Sequence, residues 1–185
     1  SSGSSTLSKM LSEHFNIQRV YAGSIFRERV KSFGFSTLDE FYQKADKELF
    51  YKIDKEVDQR LIDTARKGNV LIESKVFAGL ATVNNIPCTV KIWLDAKLSV
   101  RVKRSMGKQK DLRGIPKVIV FLKTVFSLIR RRIVDGRRYK FLYKVDYSNE
   151  ELYNDIVLDT SKLNEKETFD LILRRISDGG YINHK

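Results

Sequence analysis

Thr89-Val90-Lys91-Ile92-Trp93-Leu94-Asp95-Ala96-Lys97-Leu98 is the stretch on which the fold turns. Thr89 to Leu94 is a short run rich in β-branched and aromatic residues, which reads as a strand. Asp95 ends it with a charge. A helix beginning near Lys97 then carries Leu98, Val100, Arg101 and Arg104. The same unit recurs along the chain. Ile17 to Tyr21 reads as a strand closed by Ala22-Gly23-Ser24, ahead of a helix with Ile25, Phe26 and Val30. Val70 to Glu73 is a strand followed by Ser74-Lys75. Asp155 to Leu158 is the last strand, followed by Asp159-Thr160-Ser161 and a helix from Glu165 to Ile176. Strands alternating with helices predict a three-layer α/β/α fold around a parallel sheet. Ligands of such sheets bind beyond the carboxyl ends of the strands. Gly23, Lys75, Asp95 and Asp159 are therefore candidate site positions.

The intervening segments read as helices. Leu7, Met10, Leu11 and Phe15 share one helical face, opening from Ser1 to Thr6. Phe33-Gly34-Phe35 breaks the second helix, and Ser36 or Thr37 can cap a third, from about Leu38 to Phe50. A fourth runs from about Tyr51 to Arg66 and stops at Lys67-Gly68-Asn69, where Gly68 suits a left-handed C-terminal position. A polar break at Asp111 to Gly114 precedes an apolar helix and then an arginine-rich one.

The chain has 185 residues, which suits one domain over 1–185. Thirty-five Lys and Arg against 23 Asp and Glu give a formal charge of +12. That surplus favours anionic partners without choosing among nucleotides, nucleic acid and acidic lipid. No aromatic-interleaved basic strand supports a nucleic-acid partner, and Lys and Arg are scattered along the whole chain. The single cysteine, Cys88, excludes an internal disulfide and a multi-thiolate zinc site. It reads as a buried thiol. His14 and His184 are too far apart for a histidine-based metal or triad site. The start of the chain is small and polar, unlike a signal peptide, so a cytoplasmic location is expected.

Arg130-Arg131-Arg132-Ile133-Val134-Asp135-Gly136-Arg137-Arg138-Tyr139 follows the apolar run. Arg131, Asp135 and Arg138 stand at i, i+4 and i+7, so they share one helix face. Arginine offers phosphate a planar fork of donors, so the cluster suits a polyanion clamp. A solvated, salt-bridged face would carry the same pattern. The run from Ile115 to Ile129 is too short and too interrupted to span a bilayer. It holds more apolar residues than one narrow stripe needs. One reading packs it on the domain. The other makes it a self-association or membrane-surface helix, since Lys and Arg flank it.

At the start, Gly3-Ser4-Ser5-Thr6 is similar to the end of a P-loop, G-x-x-x-x-G-K-[ST]. Gly3 fits the last glycine, and Ser5 fits the hydroxyl that would hold magnesium. Thr6 opens the helix whose N-terminus would face phosphate. Ser4 stands where lysine is expected, and the strand and first glycine of the motif are not in the sequence. A flexible Ser/Gly linker would look the same.

Taken in order, Gly3 to Thr6, Ala22-Gly23-Ser24-Ile25-Phe26-Arg27, Asp54 to Asp58, Leu71 to Lys75, Lys91 to Ala96 and Arg131 to Tyr139 resemble a cytidylate kinase of the short archaeal and bacterial type. That group lies within the P-loop nucleoside monophosphate kinases. The resemblance runs from Gly3 to about Ile176. It implies ATP and CMP or dCMP as substrates and Mg2+ as cofactor. The residues themselves lead to the expectation of a monomer without a nucleic-acid or membrane partner, with self-association through the 115–129 helix as the alternative. The resemblance implies a helical monophosphate-binding part at 28–70, a lid at 105–140, and the last strand and helix of the core at 155–176. Gly23, Arg27, Asp54, Asp58 and Lys75 would serve the monophosphate. Lys75 replaces the arginine of Glu-Gly-Arg, keeping charge but losing the fork. Gly3, Ser4, Ser5, Thr6, Arg101, Arg104 and Asp159 would serve ATP. Arg131, Asp135 and Arg138 would be the catalytic lid residues, matching Arg-x-x-x-Asp-x-x-Arg. Ser4 implies impaired catalysis that Ser4→Lys should raise. The alternative is a non-catalytic nucleotide-binding or scaffold protein that retains the kinase fold.

Overall fold

The structure, a computed structural model, describes residues 1–107, 116–146 and 148–182. The expected break at Asp111 to Gly114, the first residue of the apolar run, Ile115, and His184 lie outside the described residues. Among the described residues the chain order is α1 (Ser4–Phe15), β1 (Gln18–Tyr21), α2 (Ala22–Ser32), α3 (Leu38–Lys44), α4 (Lys47–Lys67) and β2 (Val70–Glu73). There follow α5 (Phe77–Val83), β3 (Ile92–Asp95), α6 (Leu98–Gly107), α7 (Lys117–Tyr143), β4 (Ile156–Asp159) and α8 (Glu165–Asp178).

Among the described residues all strand pairing is parallel, as the alternation predicts. β1 pairs with β2, matching Tyr21 to Glu73 at the carboxyl end. β3 pairs with β4, matching Asp95 to Asp159. The strands therefore form two parallel pairs. Parallel neighbours need long crossovers. The first pair is bridged by α2, α3 and α4, the second by α6 and α7. Parallel register brings the polar strand ends together two by two, and so positions the site.

Two apolar clusters hold these pairs. Val30, Phe41, Ile53, Leu61 and Leu80 centre the first, which also takes Tyr139 and Val145 from the α7 end. Phe41 is fully buried and packs against the rings of Phe26, Phe35 and Phe50. Leu7, Leu11, Leu94, Ile156, Leu158, Ile172 and Ile176 form the second. Leu71 of β2 packs against this second cluster while Ile72 packs against the first, following strand alternation.

The helix boundaries differ from expectation in three places. The helix expected from Leu38 to Phe50 ends at Lys44, because Asp46 caps a new helix by accepting from the Leu49 backbone N–H at 2.7 Å. The apolar and arginine-rich helices are one continuous α7 of 27 residues. Gly136 lies inside it at a cost of about 1 kcal/mol relative to alanine, too little to break so long a helix. α5 was not expected at all. Cys88 is exposed rather than buried.

Candidate active site

At the start of α1, Gly3 sits at φ 103°, a left-handed conformation that glycine adopts without strain. It leaves the first-turn N–H groups of Ser4, Ser5 and Thr6 at a helix N-terminus, the natural place for an anion. The Ser5 hydroxyl donates to Glu73 Oε1 at 2.5 Å, and the Ser8 hydroxyl donates to Glu73 Oε2 at 2.8 Å. Arg19 pairs with the same carboxylate and donates to Ser8 Oγ at 2.8 Å. Parallel pairing of β1 with β2 makes this possible, since Arg19 and Glu73 lie two register positions apart. The guanidiniums of Arg19 and Arg27 each lie over the Tyr21 ring, 5.2 and 5.3 Å from its centre. A Cβ on Gly23 would come within 2.5 Å of that ring, so glycine is what lets Tyr21 fold back here.

The tips of β3 and β4 meet the same end of α1. The Thr160 hydroxyl lies 2.8 Å from the Ser2 carbonyl and 3.0 Å from the Asp95 carbonyl. Arg104 donates to Thr160 Oγ1, Thr160 O and Leu163 O at 2.9, 2.8 and 3.1 Å. Its donors thus brace the loop after β4. Arg101 lies one turn earlier on α6 and is half-buried. Asp159 accepts from the Ser161 hydroxyl and backbone N–H, which hold its carboxyl below the usual range.

The third part of the site lies where α7 meets α4 and the β2 tip. Lys75 Nζ donates to Asp135 Oδ2 at 2.6 Å. Arg138 donates to Asp135 Oδ1 at 3.1 Å and to the Tyr139 hydroxyl at 2.9 Å. Its Nε lies 3.2 Å from Asp54 Oδ2, an ion pair without hydrogen-bond geometry. The Tyr143 hydroxyl donates to Asp58 Oδ2 at 2.5 Å. Burial pushes Asp54 up to about 7, against the pull of Arg138 and with help from Asp58 and Asp135. Burial likewise raises Asp58 to about 6, opposed by the Tyr143 hydrogen bond. Burial lowers the Lys75 ammonium, while Asp135 opposes the shift. Arg131, one turn before Asp135, is exposed.

The structure therefore joins Asp54, Asp58, Lys75, Asp135 and Arg138 in one charged cluster. Arg27 lies over the Tyr21 ring. The predicted shared face of Arg131, Asp135 and Arg138 divides by environment, since Arg138 is nearly buried and Arg131 open. Sequence reasoning missed Arg19, Tyr139 and Tyr143. It also missed Arg132, which reaches Glu150 at 2.6 Å and Asp95 at 3.6 Å, tying α7 to the β3 tip. A concavity of about 780 Å3 is an open groove along α4 residues Lys55 to Lys67, and none of the site residues above lines it.

The AAA domain family model matches residues 1–117. The chain is 38% identical to a cytidylate kinase of Pyrococcus horikoshii over 171 residues, covering 92% of this chain and 81% of that one. It is 33% identical to a cytidylate kinase of Methanocaldococcus jannaschii over 176 residues, covering 95% and 92%.

The chain belongs to the cytidylate kinase family.

A solved structure of an uncharacterized protein from Eubacterium ventriosum superposes with a TM-score of 0.57 over 95% of this chain and 92% of the other. At 15% identity it speaks for the fold alone. Membership in the cytidylate kinase family accounts for the parallel strand pairs and for a helix N-terminus at the strand tips.

Proposed function

We propose that this protein transfers the γ-phosphoryl group of ATP to CMP or dCMP, giving ADP and CDP or dCDP. The observation that carries the reading is the cluster at the α7–α4 junction, where Lys75 and Arg138 are held by Asp135 and Asp54. Cations at the strand tips beside a helix N-terminus are what phosphoryl transfer requires. The relatives' names supply the base.

The residues divide the work. The first-turn N–H groups after Gly3, with Thr6, receive the ATP phosphates, and Arg101, Arg104 and Asp159 border the donor nucleotide. Gly23, Arg27, Asp54, Asp58 and Lys75 shape the acceptor side. Arg131, Asp135 and Arg138 carry the catalytic charge. The acceptor is already a phosphate anion, so no general base is needed. Alignment and cations against the spreading charge suffice. Asp54 and Asp135 fix the Arg138 fork before substrate arrives. α7 closing over the strand tips would exclude water and suppress ATP hydrolysis.

The donor set suits a magnesium ion brought in with nucleotide. Ser5 offers a hydroxyl and Glu73 a carboxylate, the hard oxygens that this ion takes alongside substrate phosphates. When bound, it offsets the negative charge of the β- and γ-phosphates.

Ser4 favours the second reading, a non-catalytic nucleotide-binding or scaffold protein, because it brings no cation to the phosphates. A coupled assay of ADP formation with CMP, dCMP, UMP and AMP separates the two. Turnover with CMP or dCMP above the others supports the kinase. Absence of turnover with all four, together with calorimetric binding of a bisubstrate analogue, supports the scaffold.

A further inference from the structure

Along α7 runs a face that the catalytic reading leaves unused. Val118, Leu122, Phe126, Ile129 and Ile133 recur at steps of three and four, so they form one stripe. All five are exposed, Phe126 at 69% and Val118 at 68%. Of the buried residues of the helix, Val120, Thr124 and Asp135 lie on the opposite side, and Tyr139 lies on the flank between. Sequence alone allows this run to pack on the domain, and the structure packs only that opposite side. Contiguous exposed apolar surface on a soluble domain marks an interaction site.

The charges bordering the stripe identify what it meets. Lys117, Lys123, Arg130, Arg137 and Lys140 are exposed along the same helix. Its only carboxylate, Asp135, is buried and paired with Lys75 and Arg138. A second copy of the chain would present the same cations and the same net +12, so self-association would set like charge against like. An anionic surface with an apolar interior satisfies both features. No helix among the described residues is long and apolar enough to cross a membrane, which fits a helix lying in the interface plane.

We propose that α7 is an amphipathic docking helix for anionic phospholipid surfaces, its Phe126 stripe entering the acyl boundary while its flanking Lys and Arg meet headgroup phosphates. Each basic residue near such a surface adds to the attraction. This inference does not rest on the kinase reading. The acceptor-side cluster occupies the opposite face of α7, so docking leaves it open.

Sedimentation with vesicles tests it. With 30% phosphatidylglycerol in phosphatidylcholine at low salt, most of the protein should pellet. Pure phosphatidylcholine should retain at least tenfold less. Phe126→Asp and Leu122→Asp lie on the exposed face and should melt like the parent protein. Each should cut pelleting with the anionic vesicles at least fivefold. Arg130→Glu with Arg137→Glu should do the same. Failure to pellet with either vesicle overturns the proposal. So does unchanged pelleting of Phe126→Asp, which would mean charge adsorption without insertion. Concentration-dependent dimers abolished by Phe126→Asp, without vesicle binding, would assign the stripe to a second copy instead.

Discussion

The two ends of the site gather positive charge in different ways. At the start of α1 it comes from backbone, the first-turn N–H groups after Gly3, and Ser4 adds none. Two cations adjoin it, and both are committed: Arg19 to Glu73, and Arg104 to the Thr160 loop. At the α7–α4 junction it comes from side chains, Lys75 and Arg138, each already held by a carboxylate. Backbone charge costs nothing to keep and cannot be mutated away. Lys75 is half-exposed, but Asp54, Asp135 and Arg138 are buried and set by balance, so removing one of these three leaves the others uncompensated. The α1 end should therefore be robust to single substitutions and the α7 end fragile.

Arg138→Ala should have the largest effect. It strips the counter-charge from buried Asp54 and Asp135, and a loss of about 3–5 kcal/mol in urea unfolding is expected, along with turnover. Arg138→Lys should recover part of the stability but little of the turnover, since the fork is lost. Arg131→Ala comes next. Exposed and one turn away, Arg131 should leave the melting temperature unchanged while kcat falls roughly 10²–10³-fold. A parallel fall in melting temperature would make it structural instead.

Asp54→Asn sharpens the comparison through pH. The folded carboxyl titrates near 7, well above its unfolded value of 3.8. Between those values the folded state binds more protons, so this group makes stability fall as pH rises, levelling above 7. Asparagine removes that dependence. Melting curves from pH 4 to 8 should show a shallower slope in the variant, a difference on the order of 4 kcal/mol or roughly 8–16 °C. Equal slopes would mean that Asp54 stays ionised throughout. Ser4→Lys should have the smallest effect, raising turnover by less than the ~10²–10³-fold that one well-placed donor can supply, because the α1 end already works through its backbone. A larger gain would show that this end lacks a cation it needs.

The fold was legible wherever burial writes itself as a short apolar run ending in charge. Val70 to Glu73 needed nothing more, while the strand expected from Thr89 to Leu94 begins later, at Ile92, and takes in Asp95. α5 was not, because Phe77-Ala78-Gly79-Leu80-Ala81-Thr82-Val83 has no capping side chain and too few turns to show a period. Of the candidate site, only the strand-tip positions could be read from the sequence, and the register places Glu73 beside Tyr21 and Asp159 beside Asp95. Its pairings were not. Lys75 and Asp135 are sixty residues apart, and no local spacing announces that a lysine after one strand will meet a carboxylate on a distant helix. Arg19 looked like an ordinary strand residue until the β2 register put Glu73 within its reach. Tyr139 and Tyr143 were hidden because a tyrosine at helical spacing reads as core, and here the ring is core while the hydroxyl is polar site.

The unbroken course of α7 also has a mechanical side. Asp135 and Val118 are separated by about 26 Å of rigid rod at 1.5 Å per residue. A tilt of about 10° around the Lys75–Asp135 contact would sweep the far end through roughly 4–5 Å on that geometry. Adjustments too small to see among the carboxylates would be written large at the other tip, where a pair of distance probes could follow them.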